Sequence, residues 1–306
     1  LQMIRTLTAR PAPPRWTLYF RDAPSPGLLD GEMPSTAQRI IPFPRAWTHL
    51  RLAAAVTADR PDLLWVPAHT LPFAFRGRAC VTVHDLGYIH FPAAHPPRQR
   101  AYLDITTRWS AARAAVVLAD SRATADDLIR HCQTPARKIR IVYPGCAAPP
   151  IADIAAVRSA YALPERYFLF IGTLQPRKNI AGLVTAYRQW CAAHPDDPAA
   201  LVLAGGHGWL FDPAWIGDNS DGRVILPGYV NDADKGALYA GAIALVFPSL
   251  YEGFGFPVLE AMTCGTPVIA ASTSSLPELV GDAGLLVDPG SPPAIADAMR
   301  QVSRDA

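Results

Sequence analysis

Residues 246–260 set three unlike stretches in series, and their order constrains the fold more than any other feature of the chain. An apolar run over residues 242–247 has strand character and stops at Pro248. A loop with Gly253 and Gly255 follows, and Pro257 opens an apolar-periodic segment through Ala261 and Met262. Proline suits the first helical turn, where its missing N–H leaves no bond unmade. The stretch therefore predicts strand, glycine loop and helix. Such a helix start is an anion site, because its free N–H groups and its dipole point the same way. Two acids frame it, Glu252 in the loop and Glu260 about two turns on. A carboxylate repels bound phosphate, so these acids suit hydroxyls, one on a sugar and the other on a ribose.

The rest of the chain repeats this alternation. Strands are expected at 16–20, 38–42, 63–66, 79–83, 115–118, 138–142, 167–171, 201–204, 224–226, 267–270 and 284–287. Helices are expected at 1–9, 45–58, 98–114, 153–161, 180–191, 232–240 and 292–302, with another that Asp120 and Ser121 cap and that ends near His131. Alternating β and α segments predict parallel, doubly wound sheets. The 306 residues allow about two domains, and the proline-rich stretch 143–150 is the best linker. A net charge of +2 gives no reason to expect nucleic acid, but leaves room for peripheral contact with a membrane surface through a local patch. Five widely spaced cysteines without a C-x-x-C pair predict reduced thiols in a cytoplasmic protein. No apolar run approaches the ~20 residues of a membrane span.

With Gly-Phe-Gly-Phe-Pro inside an E-x7-E frame, and Ala261-Met-Thr-Cys-Gly-Thr-Pro-Val-Ile269 after it, the chain resembles the retaining glycosyltransferases of family 4. The resemblance implies the GT-B fold: two Rossmann-like domains with parallel sheets facing a cleft. Residues 1–148 would form the acceptor side and residues 149–306 the nucleotide-sugar donor side. In that family a strand and a glycine-rich loop precede the first helix, and a last helix crosses back to the first domain. Neither is visible here, so the resemblance implies a core shortened at both ends. It also implies hexosyl transfer without a metal or other cofactor. The segments 173–179 and 274–278 look most like mannosyltransferases of polysaccharide assembly, which favours GDP-mannose over UDP-glucose as donor. The acceptor would be a glycan or a lipid-linked sugar at the inner membrane surface. Two other readings stay open: a sugar-nucleotide epimerase of the same fold, and a binding module without turnover.

The residues that would carry this chemistry lie at strand ends, where open α/β sheets bind ligands. Arg177 and Lys178 follow the strand 167–171 and can neutralise a diphosphate. The family's Gly-Arg is Gly172-Thr173 here, so Arg177 replaces the lost arginine, and Thr173 keeps a place in the donor site. Glu252 would touch sugar hydroxyls and Glu260 the ribose diol. Gly253, Phe254, Gly255 and Phe256 would present backbone N–H groups. Gly228 and Tyr229 match where the family lays the base, although packing alone explains Tyr229 as well. His84 follows the strand 79–83, and the resemblance places it near the donor sugar as a neutral imidazole. Asp85 either orients the acceptor or caps its turn. Asp232-Ala-Asp234 is formally a metal-binding D-x-D, but at a helix start it reads as capping. No metal site is expected.

Overall fold

A computed structural model describes residues 2–11, 13–25, 35–208 and 210–304. The expectations on the first and last residues, Leu1 and Ala306, lie outside the described residues.

The first half begins with α1 (Gln2–Thr8), β1 (Trp16–Phe20) and β2 (Thr36–Ile40). The helix expected at 45–58 starts later, as a π-type turn over Thr48–Leu52 that passes into α2 (Ala53–Asp59). It ends at Arg60, whose φ of 48° is left-handed. Next come β3 (Leu64–Val66), β4 (Ala79–Val83), α3 (Gly87–His90), α4 (Pro97–Arg113), β5 (Val116–Ala119), α5 (Arg122–Cys132) and β6 (Ile139–Ile141). The expected cap is present: the Ser121 hydroxyl accepts the Thr124 N–H at the start of α5. In the second half α6 (Ile154–Ala160), β7 (Tyr167–Ile171), α7 (Ile180–Ala193), β8 (Ala200–Ala204), β9 (Val224–Gly228) and α8 (Lys235–Ala240) follow. The chain closes with β10 (Ala244–Phe247), α9 (Phe256–Thr263), β11 (Val268–Ala271), α10 (Leu276–Val280), β12 (Leu285–Val287) and α11 (Pro292–Arg304).

Two of these helices, α3 and α10, span only 4 and 5 residues, too short to show a helical period in sequence. The strand expected at 224–226 runs on through Pro227 to Gly228. Proline is admitted there because β9 is an edge strand.

All strand pairs are parallel. The first half holds a four-stranded sheet in the order β3-β4-β5-β6 and a separate β1-β2 pair. The second half holds a six-stranded sheet in the order β9-β8-β7-β10-β11-β12. That is the doubly wound order, and it reverses between β7 and β10. Each half has its own core, one drawn from Ile41 to Ile139 and the other from Val157 to Met299. β7, β8 and β10 are buried along their whole length, as strands covered on both faces must be. Among the described residues no helix is long and apolar enough to cross a membrane. All five cysteines are unpaired thiols.

Candidate active site

The crevice where strand order reverses lies between β7 and β10, and both loops that leave those strands carry charge. After β7 the chain turns through Pro176–Lys178 as a short 3-10 segment. Asn179, at a left-handed φ of 58°, redirects it into α7. After β10 it enters the glycine loop. The two loops are joined by the backbone, Leu250 N–H to the Arg177 carbonyl at 2.9 Å, and then by side chains. Lys178 Nζ donates to Glu252 Oε1 at 2.5 Å, and Arg177 donates to Glu252 Oε2 at 3.0 Å and to the Tyr251 carbonyl at 2.6 Å. Lys178 and Glu252 are only 8% and 7% exposed, so the pair is inside the molecule. The Lys178 ammonium also lies 4.9 Å from the centre of the Phe247 ring. Burial pulls this lysine below its ordinary value, and the Glu252 carboxylate works against that shift.

The glycine loop is held from behind. Ser274 Oγ accepts the Glu252 N–H at 2.9 Å, and Ser275 Oγ donates to the carbonyls of Glu252 and Phe254. Gly255 precedes α9 at φ 115°, with Leu276 2.7 Å from where a Cβ would stand. Only glycine fits both constraints. Phe254 is buried, while Phe256 at the first position of α9 is exposed. Glu260 lies in the second turn of α9 and accepts the Tyr239 hydroxyl at 2.8 Å. Gly228 closes β9 at φ 78°, and Tyr229 beside it is 72% exposed, so packing does not account for that ring. Thr173 is exposed just beyond β7.

From the first half, His84 meets the glycine loop at the end of β4. A Cβ on Gly253 would lie 2.2 Å from the His84 carbonyl oxygen, so the two backbones touch. Thr124 Oγ1 donates to that carbonyl at 3.1 Å. The His84 ring is not held as the neutral imidazole expected. Nδ1 lies 2.7 Å from Asp120 Oδ2 and Nε2 lies 2.8 Å from the Pro67 carbonyl, so both nitrogens face acceptors. The Asp120 carboxylate, opposed in part by burial, raises the ring above its ordinary value and favours the imidazolium. Asp85 accepts the Gly87 N–H at 2.8 Å, which caps its own turn. The capping expected of Asp232 and Asp234 is not what their carboxylates do: Asp232 pairs with Lys235, and Asp234 accepts the Tyr161 hydroxyl.

The contacts that join the halves carry no sequence motif. Tyr251 Oη accepts the Leu86 N–H and donates to Asp127. Glu278 accepts the N–H groups of Arg122 and Ala123 at the start of α5, as well as the Tyr143 hydroxyl. These partners are at least 124 residues apart, and no local pattern announces them.

Comparison with known proteins decides the family. Residues 165–305 match the family model for glycosyl transferases of group 1, and residues 17–147 the model for glycosyltransferase family 4. The O-antigen chain mannosyltransferase B of Escherichia coli is 36% identical over 266 residues, which span 84% of this chain and 69% of that protein. The chain belongs to glycosyltransferase family 4. This glycosyltransferase is also 25% identical to the O-antigen chain mannosyltransferase RfbU of Salmonella typhimurium, over 83% of the chain and 69% of that protein. It matches the serotype-specific mannosyltransferase WbdA of Escherichia coli at 29% identity, over 63% of the chain but only 25% of that longer protein. Among solved structures, sucrose-phosphate synthase from Thermosynechococcus elongatus superposes with a TM-score of 0.71 at 22% identity, covering 94% of this chain and 79% of that one. WaaG, a glycosyltransferase involved in lipopolysaccharide biosynthesis, gives 0.71 at 17% identity, covering 98% and 85%. The glycosyltransferase has the GT-B fold.

Proposed function

We propose that this glycosyltransferase moves mannose from GDP-mannose to a glycan or lipid-linked acceptor of a surface polysaccharide, with retention at the anomeric carbon. The observation that carries the reading is the convergence of Lys178 and Arg177 on Glu252 where the strand order reverses. A buried lysine and a half-buried arginine beside a helix start are suited to a diphosphate. In this reading the donor diphosphate takes the cations and the α9 amides, and releases Glu252 towards the sugar hydroxyls. Glu260 receives the ribose diol, Gly228 and Tyr229 receive the base, and Thr173 lines the donor site beyond β7. His84 exchanges its Pro67 carbonyl for a sugar hydroxyl. The choice of mannose rests on the named mannosyltransferases that the chain resembles.

The acceptor oxygen bonds to the anomeric carbon as the bond to the diphosphate oxygen breaks, and the hydroxyl proton leaves with the diphosphate. Attack comes from the same face. The carboxylates beside His84 support this, since Asp85 and Asp120 are already engaged with Gly87 and the imidazole. Growing charge on the leaving group is met by fixed cations and N–H groups, which need no reorganisation. No metal is assigned a part in these steps.

A thermal-shift panel of GDP, UDP and ADP sugars tests the donor. A ligand of the folded state adds about 2.7 kcal/mol at roughly a hundred times its Kd. GDP-mannose is expected to shift the transition most, and proton NMR of the product is expected to give the donor's anomeric configuration. A shift from UDP-glucose alone would reject GDP-mannose, and an inverted product would reject retention.

A further inference from the structure

Behind Tyr251, three side chains of the first half converge at the seam with the second. His90 ends α3, and His131 lies in the last turn of α5. Their Nε2 atoms face different oxygens of one carboxylate: His90 is 2.8 Å from Asp127 Oδ2, and His131 is 3.7 Å from Asp127 Oδ1. The ligand atoms of all three residues lie within 4.8 Å of one another. Asp127 and His131 stand four residues apart on α5, so they share a helix face. The two ring planes stand nearly at right angles, 88°, with their centres 5.6 Å apart.

The chemistry of the set is selective. Two imidazole nitrogens and a carboxylate suit zinc and its neighbours, whereas calcium and magnesium take oxygen ligands. Tetrahedral ligands at zinc distances stand about 3.3 Å apart, between the two separations found here. The carboxylate has an outer hydrogen-bond partner in place. Tyr251 Oη donates to Asp127 Oδ2 at 2.9 Å and accepts the Leu86 N–H at 3.0 Å. Its ring stacks on His90 at 4.3 Å. The carboxylate is buried and hydrogen-bonded, and one imidazole is fixed by a ring from the other half.

We propose that His90, Asp127 and His131 bind a divalent transition-metal ion of the zinc class, with water completing the shell, and that Tyr251 ties this site to the donor half. The ion joins α3 to α5 directly beneath the residue that precedes Glu252. It holds the seam and takes no part in sugar transfer.

Titrating the metal-free full chain with Co2+, followed by displacement with Zn2+, tests this. The expected result is a single saturable equivalent with the visible absorption of low-coordinate Co2+. Zn2+ is also expected to raise the thermal midpoint, and Mg2+ to leave it unchanged. His131→Ala and His90→Ala should each weaken binding at least about tenfold, and His207→Ala, on a histidine stacked against Phe211 in the second half, should not. Circular dichroism of each metal-free variant checks that it is folded, and His131→Gln repeats the test at similar side-chain size. Absence of a saturable equivalent in the folded wild type would overturn the proposal and leave the two imidazoles as hydrogen-bond donors to Asp127. So would an equivalent that survives both histidine substitutions.

Discussion

At the scale of single residues, the proposed donor chemistry rests on the cluster of Lys178, Arg177 and Glu252. Lys178→Ala is expected to abolish the nucleotide-dependent thermal shift and to lower kcat by about 10²–10³, as loss of one fixed transition-state donor does elsewhere. An undiminished shift would discard the diphosphate assignment. The ion pair also alters what Glu252→Ala should do. In sequence the glutamate reads as a sugar contact, separable from phosphate binding. In the structure it anchors both cations, so its removal leaves a buried ammonium unpaired and reaches the diphosphate side too. His84 offers a pH test. Because Asp120 raises its folded value, its contribution to stability is full below the ordinary value of 6.5 and is lost as pH rises through the raised one. NMR should find His84 titrating above 6.5, and Asp120→Asn should move that midpoint down and remove this part of the pH dependence.

At the scale of elements, loop and helix starts position the groups. α5 begins with its Ser121 cap, and Glu278 of the second half adds a carboxylate across the same turn. A negative group there completes free N–H groups and opposes the positive end of the dipole. Glu278→Ala should therefore cost about 1 kcal/mol in chemical denaturation, and less at high salt. The central strands β7, β8, β10 and β11 and the longer helices were legible in the sequence, because burial on both faces makes a strand a continuous apolar run. The glycine loop was legible too, through Gly255 and Pro257. The short helices α3 and α10 were not, and the start of α8 lies three residues beyond the expected Asp232. Segments of one turn are set by what they pack against, and α3 is read only once His90 is seen against Tyr251 and Asp127.

At the scale of the whole molecule, two cores meet along a seam of backbone contact and buried hydrogen bonds. Gly253 touches the His84 carbonyl, so Gly253→Ala must push the halves apart. Small-angle scattering should show an expanded molecule, with activity lost and each half still folded. Tyr251→Phe is a gentler test. It leaves the Leu86 N–H without its partner and removes one donor from Asp127, at about 1–3 kcal/mol in unfolding experiments. Cooperativity should fall as well, because the phenol bridges the halves.

Local order along the chain is enough to specify alternating parallel strands and helices, the glycine turn into α9 and the basic pair after β7. Each depends on neighbours within a few residues, through apolar periodicity, φ restrictions at glycine and proline, and the free amides of a helix end. What only the folded chain decides is which of these groups meet. Glu252 pairs with Lys178 across 74 positions, His84 takes its charge state from Asp120, and Glu278 caps a helix of the other half. Such pairings follow from strand order and from the docking of two cores. A charged side chain gains its buried partner only after the hydrophobic surfaces around both have closed.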